Sequence, residues 1–288
     1  MSSANASGDL SSEMEVDAFR RLFPLCFHER HLLESIRLDA RKLGKARDTT
    51  LALGAVVYAD GLALAKIGCT TKLASIKMEV MTPATESPLE GCIVIDFHMP
   101  PICSPIVRTG SPVDTTPVIL KQLCDTILRH VIVIISIMIN FKELSLVSGK
   151  AAWMAYLEIY CLDVDGALLN AALLAAVAAF SHYSYQNFNI IWIPVVSLND
   201  DGRVVVVSEE DGGKLKYKPV NKGKRKLKLS SVPFCLACIL HKNDILADPT
   251  AEKESIMETL VIVVLDSSFQ LVSLYKPSGP VLAYTSAI

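Results

Sequence analysis

Asp163 and Asp165, in the stretch CLDVDGALLN, are the first residues whose type and spacing could do chemistry. They stand where an apolar strand hands over to an Ala/Leu-rich helix. The first turn of a helix offers free amides and a positive dipole end, which can bind an anion or be capped by a carboxylate. Two acids at that mouth repel phosphate, so capping by Asp165 is the stronger reading. A second candidate is the run from Lys214 to Lys228, KLKYKPVNKGKRKLK, with eight basic residues and no acid. It is either a solvated loop or a contact for a phosphate backbone, through Lys222, Lys224, Arg225 and Lys226. Tyr217 is its one aromatic, which disfavours base stacking.

Other patterns fall short of a site. Cys235 and Cys238 form a single CxxC in a stretch with strand character, VPFCLACIL. Their side chains then point to opposite faces, and no second pair completes the four ligands of a structural zinc. No metal or cofactor is expected. His28 and His31 have the wrong spacing for HExxH and belong to an apparent surface helix, where solvated side chains are expected. Gly149-Lys150 lacks the earlier glycine of a phosphate loop, and there is no GxSxG elbow.

The elements that would position these groups are legible from pattern. Met1 to Asp17 is Ser-rich and acidic, has no apolar core segment, and reads as a disordered leader without a secretory signal. DAFRRLFPLCFHERHLLESI reads as one or two short helices. The stretch from Thr49 to Val80 is strand-rich and broken at Asp60-Gly61, a hairpin dipeptide. Strand CIVIDFHM and a helix from Val113 to His130 follow. The second half repeats the order. Strand AAWMAYLEIYCL precedes a helix from Gly166 to Tyr183 that is apolar on nearly every face, hence buried all round. Strands then flank the turn Asn199 to Gly202. After the basic run come strand SVPFCLACIL, a helix with Asp248 as N-cap and Pro249 at its first position, and a closing hairpin, TLVIVVLD with QLVSLYKP. Helices follow groups of strands, so the class is a sheet-rich α/β (α+β) fold and not a doubly wound parallel sheet.

Composition sets the outer bounds. The chain has 288 residues, 51% of them hydrophobic, and a formal net charge of -2, so any nucleic-acid contact must be local. The apolar runs Val131 to Phe141 and Ala167 to Phe180 are shorter than the roughly 20 residues of a membrane span, and read as core. The eight cysteines lie mostly in apolar stretches and read as buried reduced thiols.

Several segments in order carry a resemblance: DAFRRLFP, SIRLDAR, RDTTLALG, ADGLALAKIGCTT, MPPICSPIVRTG, the long LSLVSGKAAWMAYLEIYCLDVDGALLNAALLAAVAAF, VPFCLACILHKNDILADPT and LVIVVLDSS. Together they resemble the RNase PH family, in its branch of exosome ring subunits of the ribosomal-RNA-processing protein 43 type. The likeness runs from about Asp17 to the end. It implies a single RNase PH-like domain over 18–288, made of two β-α halves of the ribosomal-protein-S5-like kind, about 18–142 and 143–288. It further implies a six-membered ring around a channel for single-stranded RNA, with other RNase PH-like subunits and S1/KH-type cap subunits as partners. The implied locations are nucleus, nucleolus and cytoplasm, with no membrane.

Active relatives hold phosphate with an arginine near the start of the second-half helix, where this chain has Asp165-Gly166-Ala167. They also carry an acid pair whose positions match Lys253 and Thr259 here. The resemblance therefore implies a ring subunit without catalytic residues, supporting 3'-to-5' RNA processing and degradation by associated nucleases. Arg108, in SPIVRTG, is the residue placed toward RNA by the resemblance; alone it would be a surface ion pair. Ala40 departs from the glycine usual in the Arg-x-Asp-Gly-Arg segment. An active phosphorolytic exoribonuclease and a self-contained RNA binder using residues 214–228 are the rival readings.

Overall fold

The computed structural model describes residues 14–54, 59–103, 112–128, 138–186, 197–198, 204–205, 229–242 and 244–277. Arg108, Lys222, Lys224, Arg225 and Lys226 lie outside these residues.

The chain enters through two helices, α1 (14–22) and α2 (Pro24–Leu33), separated at Phe23 because Pro24 opens the second helix and has no amide to continue the first. Helix already begins at Met14, so residues 14–17 do not belong to a disordered leader. Phe19 packs against Phe23 and Phe27, which gives α1 an apolar anchor that composition alone does not reveal.

The first sheet holds β1 (Thr49–Leu53), β2 (Gly61–Ile67), β3 (Thr70–Met81), β6 (Ala151–Asp163) and β4 (Cys92–His98), in the order β1-β2-β3-β6-β4, with the short β5 (Ser145–Val147) pairing β6. Asp60-Gly61 does stand at a strand boundary. The tight two-residue hairpin is Gly68-Cys69, flanked by the Ile67–Thr70 pair, and Gly68 has the left-handed φ of +58° that this turn needs. Among the described strands, only β4 and β6 run parallel, joined through α3 (Pro112–Ile127). The second sheet has the order β10-β9-β11-β12, with β9 (Phe234–His241), β10 (Asp244–Ala247), β11 (Thr259–Leu265) and β12 (Leu271–Tyr275). β7 (Ser197–Leu198) and β8 (Val204–Val205) pair antiparallel on either side of the turn read from Asn199 to Gly202.

Helix α4 (Leu168–Gln186) packs on β2 and β3 on one side and on β9 on the other. That double cover explains its sequence. Ala171, Ala172, Ala175, Ala176 and Ala179 are fully buried, and their small side chains let both sheets approach the helix, while Leu169, Leu173 and Phe180 fill the core. The division at 142/143 does not hold in the sheets. β6, placed in the second half, is a central strand of the first sheet between β3 and β4. Its alternating burial specifies a strand but not its neighbours, which are set by the crossover through α3. Of the apolar run from Val131, the described residues Met138, Ile139 and Phe141 are buried, as expected of core. No described helix is long and apolar enough to cross a membrane.

Candidate functional site

A cluster of bonded charged residues lies where α4 begins, beside the short helix α5 (Ala251–Ile256) and the segment 37–47. Arg47 is the hub. Its Nε and Nη2 donate to the Asp248 carboxylate at 2.9 and 2.8 Å, and its backbone amide adds a third bond to Oδ2 at 2.8 Å. Arg47 Nη1 also reaches the backbone oxygen and the carboxylate of Asp165, the latter at 3.3 Å. Asp248 is 1% exposed. Burial alone would raise its carboxyl, but the bonds and charge of Arg47 hold it below the usual carboxylate range. Arg47 is held charged above its ordinary value, its own burial being outweighed by bonds to Asp248. This is a forked, buried ion pair, the geometry for which arginine is suited.

The helix ends are capped reciprocally. Glu254 of α5 accepts from the Ala167 amide at the mouth of α4, at 2.8 Å. Asp165, just ahead of α4, accepts from the Ala251 amide at the start of α5, at 3.1 Å. Asp165 therefore caps the other helix and not its own, a correction to the sequence reading. Asp248 is not the cap of α5 either: Thr250 occupies that position, without a side-chain bond, and Asp248 turns inward to Arg47 with a left-handed φ of +51°. Both corrections have one cause. Gly166 brings the two helix starts into contact; a Cβ there would meet Pro249 O at 2.6 Å and Ala251 N at 2.8 Å, and its φ is +73°. Each carboxylate then reaches an amide of the neighbouring helix more readily than one of its own.

Burial raises the Glu254 carboxyl to about 7, with the charges of Asp248 and Asp165 adding to the rise against the Ala167 bond and Arg47. Glu252 faces outward from the same helix and takes a fork from Arg20 of α1, at 3.0 and 2.5 Å. His28, expected to be solvated, is 3% exposed and stands 3.6 Å from Glu252; burial lowers its affinity for a proton. Its partner comes from α5, which helix periodicity in α2 cannot show.

The two positions matched to the family's acid pair hold Lys253, buried on α5, and Thr259, the first residue of β11. Among the described residues the Asp163 carboxylate accepts from the amide next to it, that of Val164, and it stands outside the cluster. Cys235 and Cys238 do face opposite ways: Cys235 Sγ donates to Asn170 of α4 at 2.9 Å, while Cys238 senses Arg37 and Asp248. Burial pushes both thiols up. The expectation of buried thiols holds for Cys103 and Cys161, but Cys26 and Cys69 are exposed. Among the described residues no cluster of His, Cys, Asp or Glu could hold a metal ion.

Arg47, Arg37, Arg41 and Arg20 were not singled out by sequence pattern. The one signal in the chain is that these arginines stand in or beside the segments DAFRRLFP, SIRLDAR and RDTTLALG.

Two sheets that share a central helix are matched, as a fold, by known proteins. Residues 45–186 match the 3' exoribonuclease family, domain 1, and residues 231–285 match domain 2 of the same family. The chain belongs to the RNase PH family. The first family domain ends with α4, where the first sheet and its helix end, and the second begins just before β9. Among RNase PH relatives, the chain is 26% identical to exosome complex component rrp43 of Schizosaccharomyces pombe, over 91% of this chain and 87% of that one. It is 28% identical to exosome complex component Rrp42 of Methanothermobacter thermautotrophicus, over 83% and 78%. In fold it is similar to a chain of the Archaeoglobus fulgidus exosome with RNA bound to the active site, with a TM-score of 0.68, 22% identity, and 94% and 91% of the two chains covered. An archaeal exosome core chain gives a TM-score of 0.66 at 20% identity, over 95% and 90%.

Proposed function

We propose that this chain is a non-catalytic structural subunit of an exosome core ring, which supports 3'-to-5' RNA processing and degradation carried out by associated nucleases. The observation that carries the reading is the closed state of the site. The amide just ahead of α4, at Ala167, is taken by Glu254, and Arg47 is committed to Asp248 and Asp165. The positions of the acid pair hold Lys253 and Thr259. An anion arriving at α4 meets two carboxylates, Asp165 and Glu254. The likeness to rrp43 and Rrp42 over most of the chain supports the ring role.

The partners in this reading are other RNase PH-like ring subunits, S1/KH-type cap subunits and single-stranded RNA in the ring channel. The locations are nucleus, nucleolus and cytoplasm. Exposed apolar side chains on the second sheet, such as Phe234, Leu236, Ile245, Leu271 and Leu274, fit a chain whose folded surface is completed by neighbours.

The test is RNA degradation with inorganic phosphate by the chain co-expressed with its ring partners, before and after Glu252→Gln with Glu254→Gln. The rate is expected to be unchanged. A fall of about 100-fold, or about 2.7 kcal/mol of barrier, in a folded assembly would overturn the non-catalytic reading in favour of a phosphorolytic enzyme. Salt-dependent RNA binding by a stable lone monomer that ignores its partners would favour the self-contained RNA binder.

A further inference from the structure

Lys72, Cys161 and Cys103 form a group of nucleophilic side chains outside the ion cluster. Lys72 is fully buried on β3, an uncommon place for a lysine. Its strand partner is Cys161 of β6, and Lys72 Nζ donates to Cys161 Sγ at 2.5 Å. Cys161 is also fully buried, and its Sγ stands 3.9 Å from the backbone oxygen of Asp163. Lys72 Nζ lies 5.5 Å from the centre of the Phe97 ring. Cys103, 2% exposed, completes the group: its backbone oxygen accepts from the Val164 amide, just past β6, at 3.1 Å.

Lys72 forms no ion pair among the described residues; its bond is to the sulfur. The Asp163 carboxylate takes the Val164 amide instead. A buried ammonium without a carboxylate is costly, and an apolar side chain of similar volume would carry no such cost. Burial lowers the proton affinity of Lys72, against the pull of Cys161. Its amine is therefore freed as a nucleophile more easily than that of a surface lysine. Burial, then Cys161, pushes the Cys103 thiol up to about 11, so Cys103 keeps its proton and is a poor nucleophile. The ladder between β3 and β6 is irregular at this point. Its register shifts between Thr71 and Lys72, which leaves Leu162 without a partner. Leu162 is 50% exposed, and a broken ladder beside a buried sulfur gives a molecule as small as hydrogen peroxide a short path to it.

We propose that Lys72 and Cys161 form a covalent modification site, at which a peroxide oxidises the thiol and the lysine amine captures the product as a sulfenamide cross-link between β3 and β6. In the first step the Cys161 sulfur takes one oxygen from hydrogen peroxide. The O–O bond breaks, the thiol is oxidised to a sulfenic acid, and the peroxide is reduced to water. In the second step the Lys72 lone pair attacks that sulfur. An S–N bond forms, the S–O bond breaks, and the hydroxyl leaves as a second water with a proton from the amine. The chain loses two hydrogens in all. The amine already touches the sulfur, so capture outruns further oxidation. A dithiol reductant returns the link to amine and thiol.

The test treats the full chain with hydrogen peroxide, native and in urea, and stops the reaction with catalase. Free thiols are then alkylated under denaturing conditions, and tryptic peptides are read by mass spectrometry. The exposed Cys26 and Cys69 report that the oxidant has acted. The native chain should yield the Lys72 and Cys161 peptides joined, two hydrogens lighter than their sum, uncut after Lys72, and separated by dithiothreitol. Cys103→Ser should keep the link. Lys72→Met should lose it and carry Cys161 as the sulfinic acid. If Lys72→Met fails to fold, the unsubstituted chain and Cys103→Ser decide the matter. Cys161 left reduced while Cys26 and Cys69 are oxidised, Cys161 joined to Cys103, or an equal yield of the link in urea overturns the site.

Discussion

Glu254→Gln isolates one buried charge while keeping the shape of the site. The amide oxygen of glutamine can still accept from the Ala167 amide, so the cap on α4 is retained. What disappears is a carboxyl that burial holds at about 7, against its ordinary 4.5. The sign follows from proton counts. Between pH 4.5 and 7 the folded chain keeps a proton on Glu254 that the unfolded chain has released. Stability therefore falls as pH rises through this window and levels off above it. A gap of about 2.5 pH units at about 1.36 kcal/mol per unit sets an upper bound of about 3 kcal/mol. Glu254 is not wholly buried, and its bond to the Ala167 amide is stronger when charged, so the realised effect should be about 1–3 kcal/mol. Urea denaturation followed by circular dichroism at pH 5 and pH 8 measures it. Glu254→Gln should match the parent at pH 5 and exceed it at pH 8. The same dependence on pH in both chains, or a variant weaker than its parent at pH 8 by more than about 1 kcal/mol, would refute the argument.

Arg47→Met should cost about 3–5 kcal/mol, since it leaves Asp248 buried without its fork, and Arg47→Met with Asp248→Asn should recover much of that in the same urea assay. Ala40 holds a left-handed φ of +58°, so Ala40→Gly should stabilise the chain by about 0.5–1 kcal/mol and raise its melting temperature by about 2 °C; no rise would mean that the turn is not strained. Gly166→Ala should lower stability markedly, because the added methyl meets backbone atoms of both helix starts, and an unchanged melting temperature would contradict that close approach. Neutralising Lys222, Lys224, Arg225 and Lys226 should flatten the salt dependence of RNA binding if that run contacts RNA, and an unchanged slope would return it to a solvated loop.

The sequence by itself determined the parts whose information is local. The all-round apolar run after Gly166 specified a helix covered on every side, and α4 lies between two sheets. DAFRRLFPLCFHERHLLESI was legible as one or two short helices, and alternation in AAWMAYLEIYCL marked β6 as a strand. The order of short motifs placed the chain in the RNase PH family, and the family domains confirm it. Tertiary structure alone decided which strands are neighbours and which charges meet. β6 was legible as a strand but not as a partner of β3 and β4, because alternation fixes a face and not a neighbour. Asp165 and Asp248 stood at plausible cap positions for the helices that follow them. Gly166 instead lets α5 meet α4, so that Asp165 caps α5, Glu254 caps α4 and Asp248 turns to Arg47, 201 residues away in the chain. The burial of Arg37 and Lys253 has the same origin. A charge in a sequence looks solvated until the topology packs another element over it, and only then does its partner, or the lack of one, become a matter of energy.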